Sequence, residues 1–330
     1  MPDEPEIGDA PREVALELEK LSTALDAVVP VKQLDRNLLV ATWNLRAFGG
    51  LTKRWANEPG DSPSRNLADL RCITEIVTRF DVVAVQEVRG DLRALRHLLK
   101  ALGPDWGVIM TDVTQTKEGN NERLAFVFDT RRVKPSGLAG EFAEPFVEAS
   151  GELAEGVVGR QFARTPYAVS FLSGRRTFIL VTLHVIYGKE SSVRVGELRG
   201  IANRLASFAA EVEEWGHSLI ALGDFNIDRQ GDPLFDAFTS TGLTPAAQLN
   251  EVPRTIFDVP QKKHFYDQIA WFTDPHKGPV LALTSIGAGT VDFVPLLRGD
   301  QTLTELSWKI SDHYPLWVEF RTGETNVFPR

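Results

Sequence analysis

Short apolar runs with the length of strands recur along most of the chain. They are rich in Val, Ile and aromatic residues, which favours strands over helices. Eight such runs are present, at residues 38–45, 81–88, 123–129, 166–172, 177–185, 218–225, 266–272 and 314–320. Between many of them, apolar residues recur every three or four positions, as in helices that bury one face. This alternation predicts an α/β protein.

Five helices are predicted from these periodic segments. The first starts near Pro11, and the last starts at Asp232 and Pro233. The other three run from Leu67 to Val77, from Leu92 to Leu102 after an Asp91 cap, and from Val195 to Trp215. An acidic cap followed by a proline suits the start of a helix. No linker rich in Gly, Pro or Ser divides the chain, and no fixed-period repeat is present. A single α/β domain of two sheets with helices outside is therefore the simplest packing.

The composition is that of a globular protein. Of 330 residues, 43% are hydrophobic and 25% are charged, which excludes collagen-like, low-complexity and wholly disordered chains. With 36 Lys and Arg against 45 Asp and Glu, the formal charge is −9. That charge excludes a basic coat that binds nucleic acid without specificity. Residues 1–30 hold eight acids and two bases, so the remainder of the chain carries only −3.

The acidic start of the chain is predicted to be separate from the main domain. We assign residues 1–37 to an acidic extension with one amphipathic helix and residues 38–330 to the domain. The helix either packs on the domain or binds a protein partner. Cys72 is the only cysteine, so no disulfide-linked partner is expected. Neither a signal peptide nor an apolar run of about 18 residues is visible, so we expect a cytoplasmic protein without membrane insertion.

Polar side chains occur where several predicted strands end or begin. The residues that follow apolar runs are Asn44, Glu87, His184, Asp224 and Asn226, and those at strand beginnings are Asp267, Asp312 and His313. Carboxylate and amide oxygens suit a hard divalent cation such as Mg²⁺. Histidines beside such a site could transfer protons, since imidazole titrates near neutrality.

Each of these positions also has a structural interpretation. The GDFN segment at 223–226 could be an ordinary turn, because Gly, Asp and Asn are turn formers. Glu87 could cap the helix near Asp91, and His184 could be a hydrogen-bonded histidine of the core. The SDHYP segment at 311–315 is harder to explain structurally, because two ionisable residues directly before an apolar strand have no obvious packing role.

Eight segments of the chain share their order with one enzyme superfamily. They are ATWNLRAFGG (41–50), DVVAVQEVRGD (81–91), NERLAFVF (121–128), FARTPYAV (162–169), VTLHV (181–185), ALGDFNID (221–228), FYDQIA (265–270) and ISDHYPLWVEF (310–320). Each is a weak signal alone, but together they span nearly the whole of residues 38–320. On these segments the chain resembles the endonuclease/exonuclease/phosphatase superfamily and, within it, most closely the deoxyribonuclease I family. Arg46 after Asn44 and Arg89 after Glu87 narrow the similarity to the deoxyribonuclease branch.

The resemblance implies a fold and a reaction. The fold is a four-layered α/β/β/α sandwich of two mixed sheets flanked by helices, with the site at one edge of the paired sheets. The reaction is hydrolysis of a DNA phosphodiester with Mg²⁺, and Mn²⁺ or Ca²⁺ are possible alternatives. By position, Glu87 is the principal metal ligand, and Asn44, Asp224 and Asp312 lie close to the cation.

The resemblance also implies roles for the other polar residues. His184 would be held by Glu122 and His313 by Asp267, so that one imidazole takes a proton from water and the other protonates the leaving sugar oxygen. We favour His313 as the base and His184 as the acid, although the sequence leaves their order open. Asn226 would orient the scissile phosphate, and Asp224 also belongs to the catalytic set. The positions that contact flanking phosphates are Arg46, Arg89 and Arg164.

Some features depart from the family pattern. Asn120 stands where the family inserts a tyrosine into the DNA minor groove. Lys262 and Lys263 replace a family threonine and either bind phosphate or belong to a solvated loop. The loop at 51–66 is longer than expected, and it either forms a surface insertion or contacts the substrate by charge and stacking through Lys53, Arg54, Trp55 and Arg65.

Two other functions fit the same features. A relative could cleave RNA, a damaged DNA end, or a lipid or inositol phosphate with the same site, because one fold serves many functions. A catalytically idle binding module would also keep the fold. That module predicts the loss of a metal ligand or histidine, whereas all the matched positions are filled.

Overall fold

The chain folds into strands and helices that alternate along most of its length. The computed structural model describes residues 8–114, 120–142, 162–188, 191–213, 218–259, 262–274, 276 and 278–322. In this part of the chain the strands are β1 (Asn37–Phe48), β2 (Val82–Arg89), β3 (Trp106–Met110), β4 (Glu122–Asp129), β5 (Lys134–Glu141), β6 (Tyr167–Ser173), β7 (Arg176–His184), β8 (Ser218–Ile227), β9 (Leu243–Pro245), β10 (Phe265–Asp274), β11 (Gly278–Pro279), β12 (Thr284–Thr290) and β13 (Leu316–Arg321). The helices are α1 (Arg12–Val28), α2 (Leu67–Val77), α3 (Arg93–Leu102), α4 (Ser191–Glu213), α5 (Pro233–Thr239), α6 (Val294–Leu297) and α7 (Leu303–Lys309).

Two mixed sheets form the centre of the structure. The first has the strand order β12-β13-β1-β2-β4-β3, and the second has the order β11-β10-β8-β7-β6-β5, with β9 paired to β10. Within them, β1 runs parallel to β2 and β7 runs parallel to β8. One apolar cluster lies between the sheets, and two others lie between the sheets and their helices. The architecture is the predicted four-layered α/β/β/α sandwich.

The burial of β1 shows why its sequence is apolar at almost every position. Leu38 and Val40 belong to the cluster between the sheets. Leu39, Ala41 and Trp43 belong to the cluster beneath the helices of the first sheet. Successive side chains of a strand point to opposite faces, so a strand that is buried on both faces reads as a continuous apolar run.

The structure confirms the eight predicted strands and the predicted helices, with small differences at the helix ends. Trp215, the last predicted helical position, lies outside the described residues. Asp232 caps α5 as predicted, because its side chain accepts a hydrogen bond of 2.8 Å from the Phe235 amide. The predicted cap at Asp91 is wrong by one residue: Leu92 is the N-cap of α3, and the Asp91 carboxylate accepts from the Arg93 amide instead.

Strands at the sheet edges are the ones that the hydrophobic pattern misses. β3, β5 and β12 are partly exposed along much of their length, and β5 and β12 contain Gly or Pro. Edge strands commonly carry such residues, because an unpaired edge is protected from pairing with other chains in this way. These strands therefore lack the long apolar runs that identify the inner strands.

Helix α1 packs on the main body of the fold through one face. Leu21 and Leu25 are buried in the cluster that also contains residues of α2. The acidic side chains Glu13, Glu17 and Glu19 of this helix are exposed. The division of the chain after residue 37 remains a proposal. None of the described helices is long and apolar enough to cross a membrane.

Gly223 is the position at which β8 comes closest to β7. Its φ is +141°, and a Cβ added there would lie 2.1 Å from the Leu183 carbonyl oxygen. We therefore expect Gly223→Ala to destabilise the protein by about 3 kcal/mol or more, because it combines backbone strain with overpacking. Thermal or urea unfolding followed by circular dichroism measures the change.

Gly196→Ala is the matched control for this variant. Gly196 is an exposed residue of α4, and a Cβ there would meet nothing within 4 Å. Alanine at this position should stabilise the helix by about 0.5–1 kcal/mol. Equal stabilities of the two variants would contradict the tight approach of β7 and β8.

Candidate active site

Most of the predicted site residues line one cavity of about 450 Å³ at an edge of the sandwich. The predicted residues in its wall are Asn44, Glu87, Glu122, Arg164, His184, Asp224, Asn226, Asp312 and His313. Asp267 lies behind His313, to which it is hydrogen-bonded. Arg46 and Arg89 lie beside the cavity and contact Asp312 and Glu87, respectively. The strands thus bring together side chains that are far apart in the sequence.

Strand register brings the central residues of the site together. His184 at the end of β7 is the backbone partner of Asp224 in β8. On the other side of β8, Asp224 is the partner of Asp267 in β10. Three neighbouring strands therefore present one titratable residue each at the same level of the sheet.

The GDFN segment lies within β8 and is not a turn. Gly223 and Asn226 have positive φ values, of +141° and +50°. Asp224 and Asn226 both reach the cavity, and the Asn226 amide N–H donates to Asp224 Oδ1 over 2.9 Å. The Asn226 side chain is fixed by a 2.7 Å hydrogen bond to the Val185 carbonyl. The turn interpretation of this segment is therefore wrong, because the segment is part of a strand that carries site residues.

His313 and Asp267 form a buried histidine–carboxylate pair. Nδ1 of His313 lies 2.6 Å from Asp267 Oδ2. Burial alone would lower the pKa of His313, but Asp267, Asp224 and Asp312 outweigh it and raise the pKa well above its ordinary value. Burial raises the pKa of Asp267 to about 6, although His313 opposes this change. With Nδ1 engaged by Asp267, Nε2 lies 3.9 Å from Asp224 Oδ2.

His184 and Glu122 form a second pair on the opposite side of Asp224. Nδ1 of His184 lies 3.2 Å from Glu122 Oε2, without the alignment of a hydrogen bond, and Nε2 lies 3.6 Å from Asp224 Oδ2. Burial would raise the pKa of Glu122, but the charges of His184, Arg164 and Arg89 outweigh it and lower the pKa to about 2. Glu122 therefore stays ionised beside the imidazole. His184 belongs to this network and not to the apolar core.

The oxygen donors next to these pairs fit a divalent cation. Asn44 donates through Nδ2 to Asp224 over 3.0 Å, and its Oδ1 is buried with no hydrogen-bond partner among the described residues. Buried acceptors are normally satisfied, so an unpaired one points to a missing partner such as an ion or water. Glu87, Asp224 and Asp312 add carboxylates to the same cavity wall. This donor set is the kind that Mg²⁺ prefers.

A second group of potential metal ligands overlaps the first one. Ligand-type atoms of Asp224, Asp267 and His313 lie within 4.8 Å of one another. However, the hydrogen bond between Asp267 and His313 already accounts for two of these three residues. The oxygen donors around Asn44 are therefore the group that is open to a cation, whereas Asp267 and His313 are already engaged with each other.

Glu87 occupies a strained position and does not cap α3. Its φ is +61°, and its Oε2 accepts a 2.8 Å hydrogen bond from the Ala47 amide. Ala47 also has a positive φ, of +47°. Positive φ is uncommon in non-glycine residues, and the residues that have it cluster at functional sites. This conformation directs the Glu87 side chain into the cavity and not towards α3, so the interpretation of Glu87 as a helix cap is wrong.

The three predicted phosphate-binding arginines differ in their surroundings. Arg46 donates to the Ser307 hydroxyl, contacts Asp312, and lies 3.9 Å from the ring centre of Trp308. Arg89 donates to the Asn120 carbonyl over 2.8 Å. Arg164 is buried, and its Nε lies 2.6 Å from Glu122. All three therefore have protein partners that fix their side chains.

One basic residue of the loop at 51–66 has a structural role and cannot contact the substrate. Arg65 is buried, and its guanidinium donates to the carbonyls of Arg46, Lys309 and Ile310. Another, Arg54, forms ion pairs with acidic residues of the same loop. The expectation that Arg65 contacts substrate is wrong, because its side chain is buried. The charge pattern of the loop does not reveal which guanidinium is buried.

Several residues in the cavity wall escaped the sequence analysis. They are Thr255, Phe257, His264, Tyr266 and Tyr187. The ring of Tyr266 lies 5.9 Å from that of His313 and belongs to the segment FYDQIA. Tyr266 could have been predicted because it lies within this segment, and His264 because it directly precedes it. A supporting residue, Arg194, donates to the Asn226 carbonyl over 3.0 Å and carries no distinguishing pattern in the sequence.

The chain is similar in sequence and fold to known phosphate-ester hydrolases. Residues 41–317 match the Endonuclease/Exonuclease/phosphatase family. A deoxyribonuclease from Thioalkalivibrio sp. (strain K90mix) is 27% identical over 298 residues, which cover 86% of this chain and 71% of that protein. Deoxyribonuclease-1 from Sus scrofa is 26% identical over 322 residues, which cover 92% of this chain and 98% of that protein.

A solved structure with the same fold is the mannosyl-6-phosphatase from Bacteroides thetaiotaomicron. It superposes with a TM-score of 0.56 at 19% identity, over 86% of this chain and 99% of that chain. The fold, the cavity with its paired histidines, and the match over most of the sequence agree with one another. The chain belongs to the endonuclease/exonuclease/phosphatase family and is a hydrolase that acts on phosphate esters.

Proposed function

We propose that the protein is an endonuclease that hydrolyses DNA phosphodiesters with Mg²⁺ as its cation. One observation carries the proposal: Nε2 of His184 and Nε2 of His313 lie 3.6 and 3.9 Å from the same oxygen of Asp224. Each imidazole has a different carboxylate at its Nδ1. Two such groups at one cavity can remove one proton and deliver another during a single displacement.

Proton transfer is assigned to the two histidines. We favour His313 as the group that takes a proton from the attacking water, because Asp267 orients its imidazole and stabilises the imidazolium that forms. Two of the carboxylates that raise the pKa of His313, Asp224 and Asp312, would be offset by the bound cation, which makes the base form accessible. His184 gives a proton to the leaving sugar oxygen, and Glu122 stabilises its cationic form. Asn226, held by the Val185 carbonyl, orients the scissile phosphate.

The cation would be held by Glu87, Asn44, Asp224 and Asp312. When bound, it offsets the negative charge of the phosphate oxygens, which increases in the transition state. Arg46, Arg89 and Arg164 contact the phosphates on either side of the cut, and the partners that fix them reduce the entropy lost on binding.

DNA is supported as the substrate by the relatives that are named deoxyribonucleases. The same fold in a mannosyl-6-phosphatase shows that the fold alone does not select a substrate. An idle binding module is disfavoured because the histidines, their carboxylates and the oxygen donors are all present around one cavity. Activity on defined substrates separates these functions.

The first prediction concerns the substrate. The protein should nick supercoiled plasmid with Mg²⁺ or Mn²⁺ and lose this activity in EDTA, because the phosphate charge needs a cation. Parallel reactions contain RNA, a duplex with an abasic site, and phosphoinositide vesicles, with Mg²⁺, Mn²⁺ or Ca²⁺. Intact plasmid with every cation, together with turnover of another substrate, would exclude the DNA function.

The second prediction concerns the two histidines. His184→Ala and His313→Ala should each lower kcat on plasmid by about 10² or more, the usual contribution of a general acid or base. His276→Ala is the control, because His276 is exposed and follows the opposite end of β10. Wild-type kcat in either site variant would remove that histidine from the mechanism.

The third prediction concerns the cation. Glu87→Gln should weaken Mn²⁺ binding by at least about tenfold, a loss seen even when a residue behind a metal ligand is replaced. Titration followed by electron paramagnetic resonance measures binding without any turnover. Glu58→Gln is the control, since the Glu58 side chain is 67% exposed in the loop at 51–66. Unchanged affinity in Glu87→Gln, or an equal loss in both variants, would contradict the assigned ligand.

A further inference from the structure

A third histidine–carboxylate pair lies in the wall of the same cavity. Nδ1 of His264 lies 2.7 Å from Oδ1 of Asp258. The Asp258 side chain is buried, whereas 17% of the His264 side chain is exposed. The proposed reaction needs only the pairs formed by His184 and His313. The third pair therefore requires a role of its own.

The hydrogen bonds of Asp258 determine which nitrogen of His264 is available. Oδ2 accepts from the backbone amides of Arg254 and Thr255, over 2.9 and 3.2 Å. Oδ1 accepts from the backbone amide of His264 over 3.1 Å as well as from its ring. A carboxylate only accepts, so Nδ1 of His264 carries a proton. Nε2 has no partner among the described residues and is left for a ligand in the cavity.

The position of His264 excludes a direct part in the proposed proton transfers. Its ring stacks on Tyr266, with ring centres 4.6 Å apart and planes inclined by 23°. Tyr266 also contacts the ring of His313, whose centre is 5.9 Å from that of Tyr266. A general acid or base must come within about 2.6–3.2 Å of the atom that exchanges the proton. His184 and His313 lie 3.6 and 3.9 Å from Asp224, whereas the carboxylate that His264 contacts among the described residues is Asp258. His264 therefore suits binding and not chemistry at the same phosphorus.

We propose that His264 binds a substrate phosphate next to the scissile one, through a hydrogen bond from Nε2 to a non-bridging oxygen. This inference rests on the proposed function. A nucleic acid strand carries one phosphate per nucleotide, so a strand held at His313 extends further phosphates along the cavity. An imidazole that lies between the Asp258 carboxylate and a bound phosphate donates from both ring nitrogens, which makes the hydrogen bond to phosphate charge-assisted. The site therefore selects a chain of phosphodiesters over an isolated phosphodiester.

Two conservative variants separate ligand binding from a structural role. His264→Asn places an amide nitrogen near Nδ1, so it keeps the contact with Asp258 and loses the donor at Nε2. His264→Gln places an amide nitrogen near Nε2 and loses the contact with Asp258. We expect His264→Asn to raise KM for a DNA oligonucleotide about tenfold, the scale of one hydrogen bond to a charged group. His264→Gln should restore most of the affinity, and neither variant should change kcat by more than about twofold.

Substrates with altered phosphates locate the contact. Bis(p-nitrophenyl) phosphate has a single phosphodiester, so its hydrolysis should be the same in wild type, His264→Asn and the control His276→Asn. Two further oligonucleotides each carry one neutral methylphosphonate next to the scissile phosphate, one on its 5′ side and the other on its 3′ side. Each therefore lacks the negative charge of one flanking phosphate. For one of the two oligonucleotides, the loss in kcat/KM caused by the methylphosphonate should be about tenfold smaller in His264→Asn than in wild type, since the two changes remove the same contact.

The outcomes distinguish this inference from the proposed function. If wild type cleaves DNA and His264→Asn has the wild-type KM, the phosphate contact is absent while the nuclease function stands. If His264→Gln is the more impaired variant and its melting temperature falls, His264 acts through Asp258 as a structural residue, and the inference is wrong. If wild type hydrolyses the small diester but not DNA, the proposed function fails and this inference fails with it.

Discussion

Asp224 lies between His184 and Asp267 because three strands are locked in register around it. β7 places His184 beside Asp224, and β10 places Asp267 on the other side. The close approach of β8 to β7 at Gly223 leaves no room for a side chain, which fixes the two strands against each other. A slip of one residue in any of these strands would turn its side chains to the opposite face. Backbone pairing therefore places His184 and Asp267 on either side of Asp224, and the segment before β13 brings His313 to Asp267.

This arrangement buries negative charge, and the surrounding fold has to compensate. Asp224 and Glu122 are each 2% exposed, and Asp267 is fully buried. A buried carboxylate costs several kcal/mol unless hydrogen bonds and opposite charges satisfy it, and here a histidine, an arginine or a backbone amide contacts each of them. Positive φ values at Glu87 and Asn226 add strain at the same place. Burial of the three apolar clusters stabilises the fold and offsets the free-energy cost of this site.

The hydrophobic pattern predicts the inner strands and the polar residues at their ends, because burial on both faces leaves a long apolar run. It misses edge strands such as β5, which are exposed and contain Gly and Pro. It also carries no information on register, so it cannot show that Asp224 faces both histidines. Burial of Arg65 and the contact between His264 and Asp258 arise from loop conformations that no apolar period marks. These contacts depend on three-dimensional packing, and the resemblance to a family does not extend to them.

The charges around the cavity make the proposed cation and substrate depend on each other. Six carboxylates of the described residues lie in or behind its wall, and three arginines lie in or beside it, each already paired with one of these carboxylates. Without a cation, a phosphate would meet an excess of negative charge. A divalent cation held by the oxygen donors reverses this balance locally, and by linkage a bound phosphate must strengthen cation binding by the same factor. The formal charge of −9 does not decide this equilibrium, because the carboxylates and arginines of the cavity act at contact distance, whereas exposed charges such as the acids of α1 are screened by salt.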